Sequence, residues 1–262
     1  MARGKFRLLM LFANGALLVG CTNQVRHQCE HTVTFHETPV SLGAAVQPSS
    51  ALCETYLAPV RELLQLEWPR NRTVNIVCHG HSVPAGYFQT PTVDTFNAYP
   101  HLLHVALKRR YPYAVINVIV AAIGGESSDR GAERFGRDVL SFRPDVITID
   151  YALNDRGIGL DKAHQSLTDM VTRAKERGIK VILMTPTGDL QAALTDPADP
   201  LNQQAQMIRD LAAQQGVGLV DSLAEFQGYV SKGGRLEELM SQVNHPNRRG
   251  HELVAEAMMK WF

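Results

Sequence analysis

Residues 74–86 read VNIVCHGHSVPAG, a short apolar run that leads through a glycine into a segment able to begin a helix. Val74, Ile76 and Val77 are β-branched, which favours a strand, and the run is too short for a buried helix. Gly80 permits a tight backbone turn, and Ser82 lies where the strand would pass into the helix. The stretch therefore predicts a strand-turn-helix unit, the building block of α/β folds.

The same alternation continues along the chain. Further short β-branched runs cover residues 114–120, 146–150, 181–184 and 218–220. Amphipathic stretches separate them; one places Leu167, Met170, Val171 and Ala174 on a single helical face, with Gly178 as its C-cap. A further helix is expected over residues 247–262. This spacing predicts a three-layer α/β/α sandwich with a five-stranded parallel sheet. We expect the strands of this sheet in flavodoxin-like order.

The first twenty residues differ in kind from the rest. Basic residues at positions 3, 5 and 7 precede a mostly apolar run that ends at Val19, which is the pattern of a secretory signal. A membrane-spanning helix would need roughly 20 apolar residues, more than this run supplies. We expect residues 1–20 to be a signal peptide, residues 21–49 a tether and irregular arm, and residues 50–262 the catalytic domain.

The end of the signal reads Leu18-Val19-Gly20-Cys21, which resembles a bacterial lipoprotein signal. In such signals the cysteine receives lipid and becomes the mature N-terminus, whereas the alternative is an ordinary cleaved signal. The resemblance implies export, lipidation at Cys21 and a membrane partner through that lipid, with the outer membrane as the expected location. In an oxidising compartment we also expect a Cys29–Cys53 disulfide.

The charge balance points to no macromolecular partner. The chain holds 26 basic and 26 acidic residues, so no overall field draws it to nucleic acid or to an anionic surface.

Four polar or glycine-rich blocks follow predicted strands or precede the last helix. Ser82 follows the first strand, Gly124-Gly125 the second and Asn154 the third, while His245 lies just before Pro246 and the final helix. Loops at the carboxyl ends of parallel strands meet at one edge of the sheet. An imidazole titrates near neutral pH, so His245 suits taking a proton from a serine.

These four blocks, in this order, resemble the SGNH hydrolase superfamily of GDSL-like esterases and lipases. The resemblance implies that Ser82 is the nucleophile and His245 the base. It also implies that the Ser82 and Gly125 N–H groups and the Asn154 amide form the oxyanion hole. The expected reaction is hydrolysis of a carboxylic ester through an acyl-enzyme, without metal or cofactor.

Two positions depart from the family pattern. His81 stands where the first block usually has Asp, and Gln242 stands where the last block has Asp, three residues before the histidine. We expect His245 to be oriented by the side-chain or the backbone carbonyl of Gln242, since a Ser-His dyad supported by a main-chain carbonyl is known in the superfamily. The alternatives are a carboxylate from elsewhere, with Glu238 and Asp221 nearest in sequence, or a slow or inactive enzyme.

Two other functions fit parts of the sequence. His79 and His81 match a metal-binding His-x-His pair, which His245 or His251 would complete in a metal-dependent hydrolase. A non-catalytic lipoprotein that binds glycan or lipid would explain Gln242. For the esterase we expect a small acyl ester or an acylated polysaccharide as substrate, with deacetylation of carbohydrate as the first candidate.

Overall fold

Five parallel strands form the central sheet of the computed structural model, which describes residues 55–262. They are β1 (Thr73–Gly80), β2 (Val115–Ala122), β3 (Val146–Asp150), β4 (Lys180–Met184) and β5 (Gly218–Val220). All five predicted runs are strands. Their order, β2-β1-β3-β4-β5, confirms the flavodoxin-like sheet. β2 lies on one side of β1 and β3 lies on the other, so the direction in which strands are added reverses at β1. A ligand crevice is expected beyond the carboxyl end of the strand at which this reversal occurs.

The register of the sheet aligns the three strands that precede the candidate residues. Gly80 of β1 pairs with Ala122 of β2 on one side and with Asp150 of β3 on the other. The loops that follow β1, β2 and β3 therefore begin level with one another at the same edge.

Helices cover both faces of the sheet and confirm the three-layer sandwich. They are α1 (Ala58–Leu64), α2 (Ser82–Ala85), α3 (Tyr99–Arg110), α4 (Ser128–Asp138), α5 (Ala152–Asp155), α6 (Leu160–Lys175), α7 (Pro200–Gln215), α8 (Ser222–Ser231) and α9 (Arg248–Met259). Apolar residues of α1, α3 and α9 pack with Val74 and Ile76 on one face. Those of α4, α6 and α7 pack with Val77 and Ile147 on the other, because successive strand residues face opposite sides.

Helix ends agree with the signals in the sequence. Gly178, three residues beyond the end of α6, has a φ of 70°, a conformation in the left-handed region that favours glycine. Asn247 precedes α9 and its side chain accepts the Gly250 N–H, as an N-cap does. After the short antiparallel pair β6 (Met240–Gln242) and β7 (His245–Pro246), α9 thus closes the chain as predicted.

Several predictions fall outside the described residues: the signal peptide, lipidation of Cys21, the arm and the Cys29–Cys53 disulfide. Within residues 55–262, no helix combines the length and the apolar character that a bilayer crossing requires. Cys78 is a free, fully buried thiol, and burial raises its pKa to about 12. It therefore behaves as a small apolar residue of the core.

Candidate active site

Ser82 is the first residue of α2, directly beyond the end of β1. His81 caps the helix, and its imidazole Nδ1 accepts the Val83 N–H at 3.2 Å. Gly80 lies so close to β3 that a Cβ there would clash with the Asp150 carbonyl oxygen and the Pro84 ring. The absence of a side chain at Gly80 thus brings Ser82 to the edge of the sheet, with 7% of its surface exposed.

His245 reaches Ser82 from β7, 163 residues further along the chain. Its Nε2 lies 2.9 Å from Ser82 Oγ, and its Nδ1 lies 2.9 Å from the main-chain oxygen of Phe88. A carbonyl can only accept, so the neutral ring carries its hydrogen on Nδ1 and presents a lone pair on Nε2 to the serine hydroxyl. Burial lowers the pKa of His245, although the bond to Phe88 opposes the shift. The geometry suits a proton acceptor.

The group that orients His245 is the Phe88 carbonyl, so the expectation that a side-chain or backbone carbonyl of Gln242 does so is corrected. Gln242 faces His245 in the β6–β7 pair, but its side chain reaches the loop after α2. There Oε1 accepts the Thr90 N–H at 2.9 Å and Nε2 donates to Thr90 Oγ1 at 3.2 Å. Gln242 therefore holds the loop that supplies the carbonyl.

The two acids proposed as substitutes have other partners. Glu238 accepts a hydrogen bond from the Tyr229 hydroxyl, and Asp221 pairs with Arg209 at 2.7 Å. Neither carboxylate has a hydrogen bond or an ion pair with His245. The acid missing from the last block is thus not replaced by Glu238 or Asp221.

Gly125 and Asn154 lie together at the ends of β2 and β3. Gly125 has a φ of 76°, in the left-handed region that favours glycine. Glu126 follows Gly125 in the chain, and Asn154 Nδ2 donates to its main-chain oxygen at 2.9 Å. That bond uses one of the two amide hydrogens. Within the described part of the chain, the Ser82 and Gly125 N–H groups have no hydrogen-bond partner. These groups are available to an oxyanion.

A buried polar network braces the loop that carries Gly125. Both oxygens of Glu126 lie 2.9 Å from Arg134 Nε, and the Tyr151 hydroxyl donates to the same carboxylate at 2.7 Å. The Ser128 N–H donates to Asp155 Oδ1 at 2.7 Å, and burial raises the pKa of Asp155 to about 6. Sequence reasoning missed this network, although Glu126 and Asp155 adjoin the motif residues.

The histidines of the metal hypothesis have separate partners. His79 Nδ1 lies 3.0 Å from the Ala121 carbonyl oxygen, and burial lowers the pKa of His79 to about 4. His81 instead contacts Ser82, Val83 and Asp150. His251 is fully buried and accepts the Tyr99 N–H. Across residues 55–262, no three His, Cys, Asp or Glu side chains are grouped to hold a metal ion. The structure gives this alternative no support.

The aromatic ring of Tyr87 lies beside His245. Its ring lies 6.1 Å from the His245 ring, centroid to centroid, and a Cβ on Gly124 would come within 2.9 Å of it. Phe88, by contrast, stacks on His251 at 5.0 Å. Of these two residues, Tyr87 is the one whose ring lies beside both His245 and the loop after β2.

Solved structures with this fold include carbohydrate esterases. An acetylxylan esterase from Geobacillus stearothermophilus is 22% identical, with a TM-score of 0.63 over 72% of this chain and 93% of that one. A two-domain esterase active on acetylated mannans is 21% identical, with a TM-score of 0.62 over 80% of this chain and 52% of that one. Comparison with curated protein sequences gave no significant match.

The family comparison covers the whole of the site. Residues 78–253 match the model of the GDSL-like Lipase/Acylhydrolase family, and this range contains Ser82, Gly125, Asn154 and His245. The fold and the four blocks agree with that match. The chain therefore belongs to the GDSL-like lipase/acylhydrolase family, within the SGNH superfamily, and is a carboxylic ester hydrolase.

Proposed function

We propose that the protein removes short acyl groups from carbohydrate through an acyl-enzyme on Ser82, with His245 as the general base. The observation that carries the proposal is the 2.9 Å contact between Ser82 Oγ and His245 Nε2, with His245 Nδ1 bonded to the Phe88 carbonyl. Two solved structures of the acetylxylan esterase are catalytic mutants in which a serine or a histidine is replaced by alanine. The same pair of residue types meets here.

The proposed reaction proceeds in two halves. Ser82 Oγ attacks the acyl carbon while its proton passes to His245 Nε2, and the imidazolium then returns that proton to the departing alkoxide. Water repeats the sequence on the acyl-enzyme and releases the acid. The Ser82 and Gly125 N–H groups and the Asn154 amide would donate to the tetrahedral oxygen, where each such donor contributes roughly 10²- to 10³-fold in rate.

A short acyl group on a polysaccharide is the substrate that the site favours. The Tyr87 ring lies near both His245 and Gly124, and we expect it to limit the room for the acyl group of a bound ester. The solved relatives act on acetylated xylan and acetylated mannans. We extend this to an exported protein anchored through lipid on Cys21, a location that would place the enzyme beside polysaccharide.

The test uses the full chain and a covalent probe. A fluorophosphonate should label wild-type protein stoichiometrically and fail to label Ser82→Ala. Ser141→Ala is the matched control, because Ser141 is exposed and lies just before β3, at the opposite edge of the sheet. Hydrolysis of p-nitrophenyl esters of increasing chain length, beside acetylated xylan and mannan, identifies the acyl group.

The outcomes separate the candidate functions. Labelling of Ser82 with preference for acetate supports the proposal, whereas preference for long acyl chains contradicts the deacetylase assignment. Binding of glycan without labelling or turnover would instead establish the non-catalytic alternative. Metabolic labelling with a fatty-acid analogue tests the anchor, since Cys21→Ala should abolish incorporation if that cysteine carries the lipid.

A further inference from the structure

A second imidazole lies against the proposed nucleophile. His81 Nδ1 is 3.3 Å from Ser82 Oγ, on a histidine that is 1% exposed. Its Nε2 lies 3.3 Å from Asp150 Oδ1, within ion-pair distance but without a well-aligned hydrogen bond. The other oxygen of Asp150 accepts the Tyr99 hydroxyl at 3.1 Å. Ser82 Oγ, the His81 imidazole and the buried Asp150 carboxylate therefore form a continuous series of contacts.

The hydrogen on His81 can be placed from its contacts. Nδ1 accepts the Val83 N–H at 3.2 Å, so in the resting site Nδ1 carries a lone pair. The neutral ring must then carry its hydrogen on Nε2, which faces Asp150. The Val83 N–H and the Ser82 hydroxyl both lie within hydrogen-bond distance of the lone pair on His81 Nδ1.

We propose that His81, backed by Asp150, is a second proton acceptor for Ser82. Within residues 55–262, His245 has the shorter contact with Ser82 Oγ and no carboxylate partner, whereas His81 has the longer contact and has Asp150 on its other ring nitrogen. The inference rests on Ser82 being the nucleophile.

The step balances without a further reactant. The Ser82 hydroxyl proton moves to His81 Nδ1 as Oγ forms its bond to the acyl carbon, and the imidazolium pairs with the Asp150 carboxylate. The Val83 N–H loses its acceptor while the proton is on Nδ1. The proton then passes to the departing alkoxide, which restores the cap.

The experiment compares wild type, His81→Asn, His245→Ala and the double variant. Asparagine is a good N-cap, so it keeps an acceptor for the Val83 N–H but cannot take a proton. The measured quantities are the rate of fluorophosphonate labelling and kcat/KM for p-nitrophenyl acetate, whose leaving group needs little protonation. Thermal unfolding followed by circular dichroism checks that each variant is folded.

We expect His245→Ala to retain slow labelling, and His81→Asn to reduce that residual rate by about tenfold or more, since general bases contribute roughly 10²- to 10⁴-fold. In protein that retains His245, His81→Asn should lower the labelling rate only a few-fold. Asp150→Asn should reduce the residual rate in the same background, and an unchanged rate would remove Asp150 from the proposal.

Two results overturn the inference. The first is an equal loss, or none, from His81→Asn in both backgrounds, because a second proton acceptor must contribute more to the rate when His245 is absent. The second is complete loss of labelling in His245→Ala. Failure of wild type to label would instead refute the proposed function itself.

Discussion

Replacement of Gln242 by alanine tests how the structure compensates for the missing acid. The variant removes two hydrogen bonds to Thr90, of 2.9 and 3.2 Å, and leaves the Phe88 carbonyl in the chain. Neutral hydrogen bonds contribute about 0.5–1.5 kcal/mol each, and Gln242 is half-buried, so the loop should lose about 1–2 kcal/mol of support. If this support keeps the Phe88 carbonyl hydrogen-bonded to His245 Nδ1, its loss should lower kcat roughly 5- to 30-fold, at about tenfold per 1.36 kcal/mol.

Steady-state kinetics with p-nitrophenyl acetate provides the assay, with kcat and KM determined separately. KM should change little, because Gln242 lies behind the loop. Thr90→Val is the matched control: it removes the hydroxyl partner and keeps the main-chain bond, so we expect a smaller loss than for Gln242→Ala. A loss near 10⁴-fold, as for removal of a triad acid, would show that Gln242 acts on His245 directly. Unchanged kcat would show that the loop needs no such support.

Three further predictions concern groups around Ser82. Asn154→Ala should lower kcat about 10²- to 10³-fold, because it removes a proposed oxyanion donor, and near-normal turnover would exclude that role. Burial lowers the pKa of His245, so its ring stays neutral to lower pH and the acid limb of kcat/KM should have its midpoint below about 6.5; a midpoint above neutrality would show that burial does not dominate this pKa and would indicate a carboxylate partner for the ring. Tyr87→Ala should raise the ratio of butyrate to acetate hydrolysis in the ester series, and a constant ratio would show that this ring does not limit the acyl group.

The sheet was predictable because its signals are local. Each strand is a short β-branched run, and helical patterns end at glycines such as Gly178, so element type and order could be inferred from neighbouring residues. The placement of Ser82 and Asn154 followed from the same logic, since parallel strands end at a common edge. Local patterns thus predicted both the architecture and the location of the site.

Contacts across long stretches of sequence were not predictable. The partner of His245 is a main-chain oxygen 157 residues away, and every residue type has such an oxygen, so Phe88 carries no signal. Gln242 could be identified as unusual, but its actual partner, Thr90, depends on the path of a loop. The approach of His81 to Asp150 likewise depends on strand register, which one sequence does not specify.

The carbonyl of Phe88 has a consequence for how this site can be studied and how it can vary. Any amino acid at position 88 retains the main-chain oxygen. Alanine scanning would therefore detect Ser82 and His245 but not the carbonyl that orients His245. Replacing the peptide bond between Phe88 and Gln89 with an ester tests this carbonyl directly. The ester oxygen is a weaker hydrogen-bond acceptor, and every side chain is unchanged. The role of position 88 in orienting His245 thus depends on the path of its main chain, whereas the Phe88 ring has a separate contact with His251.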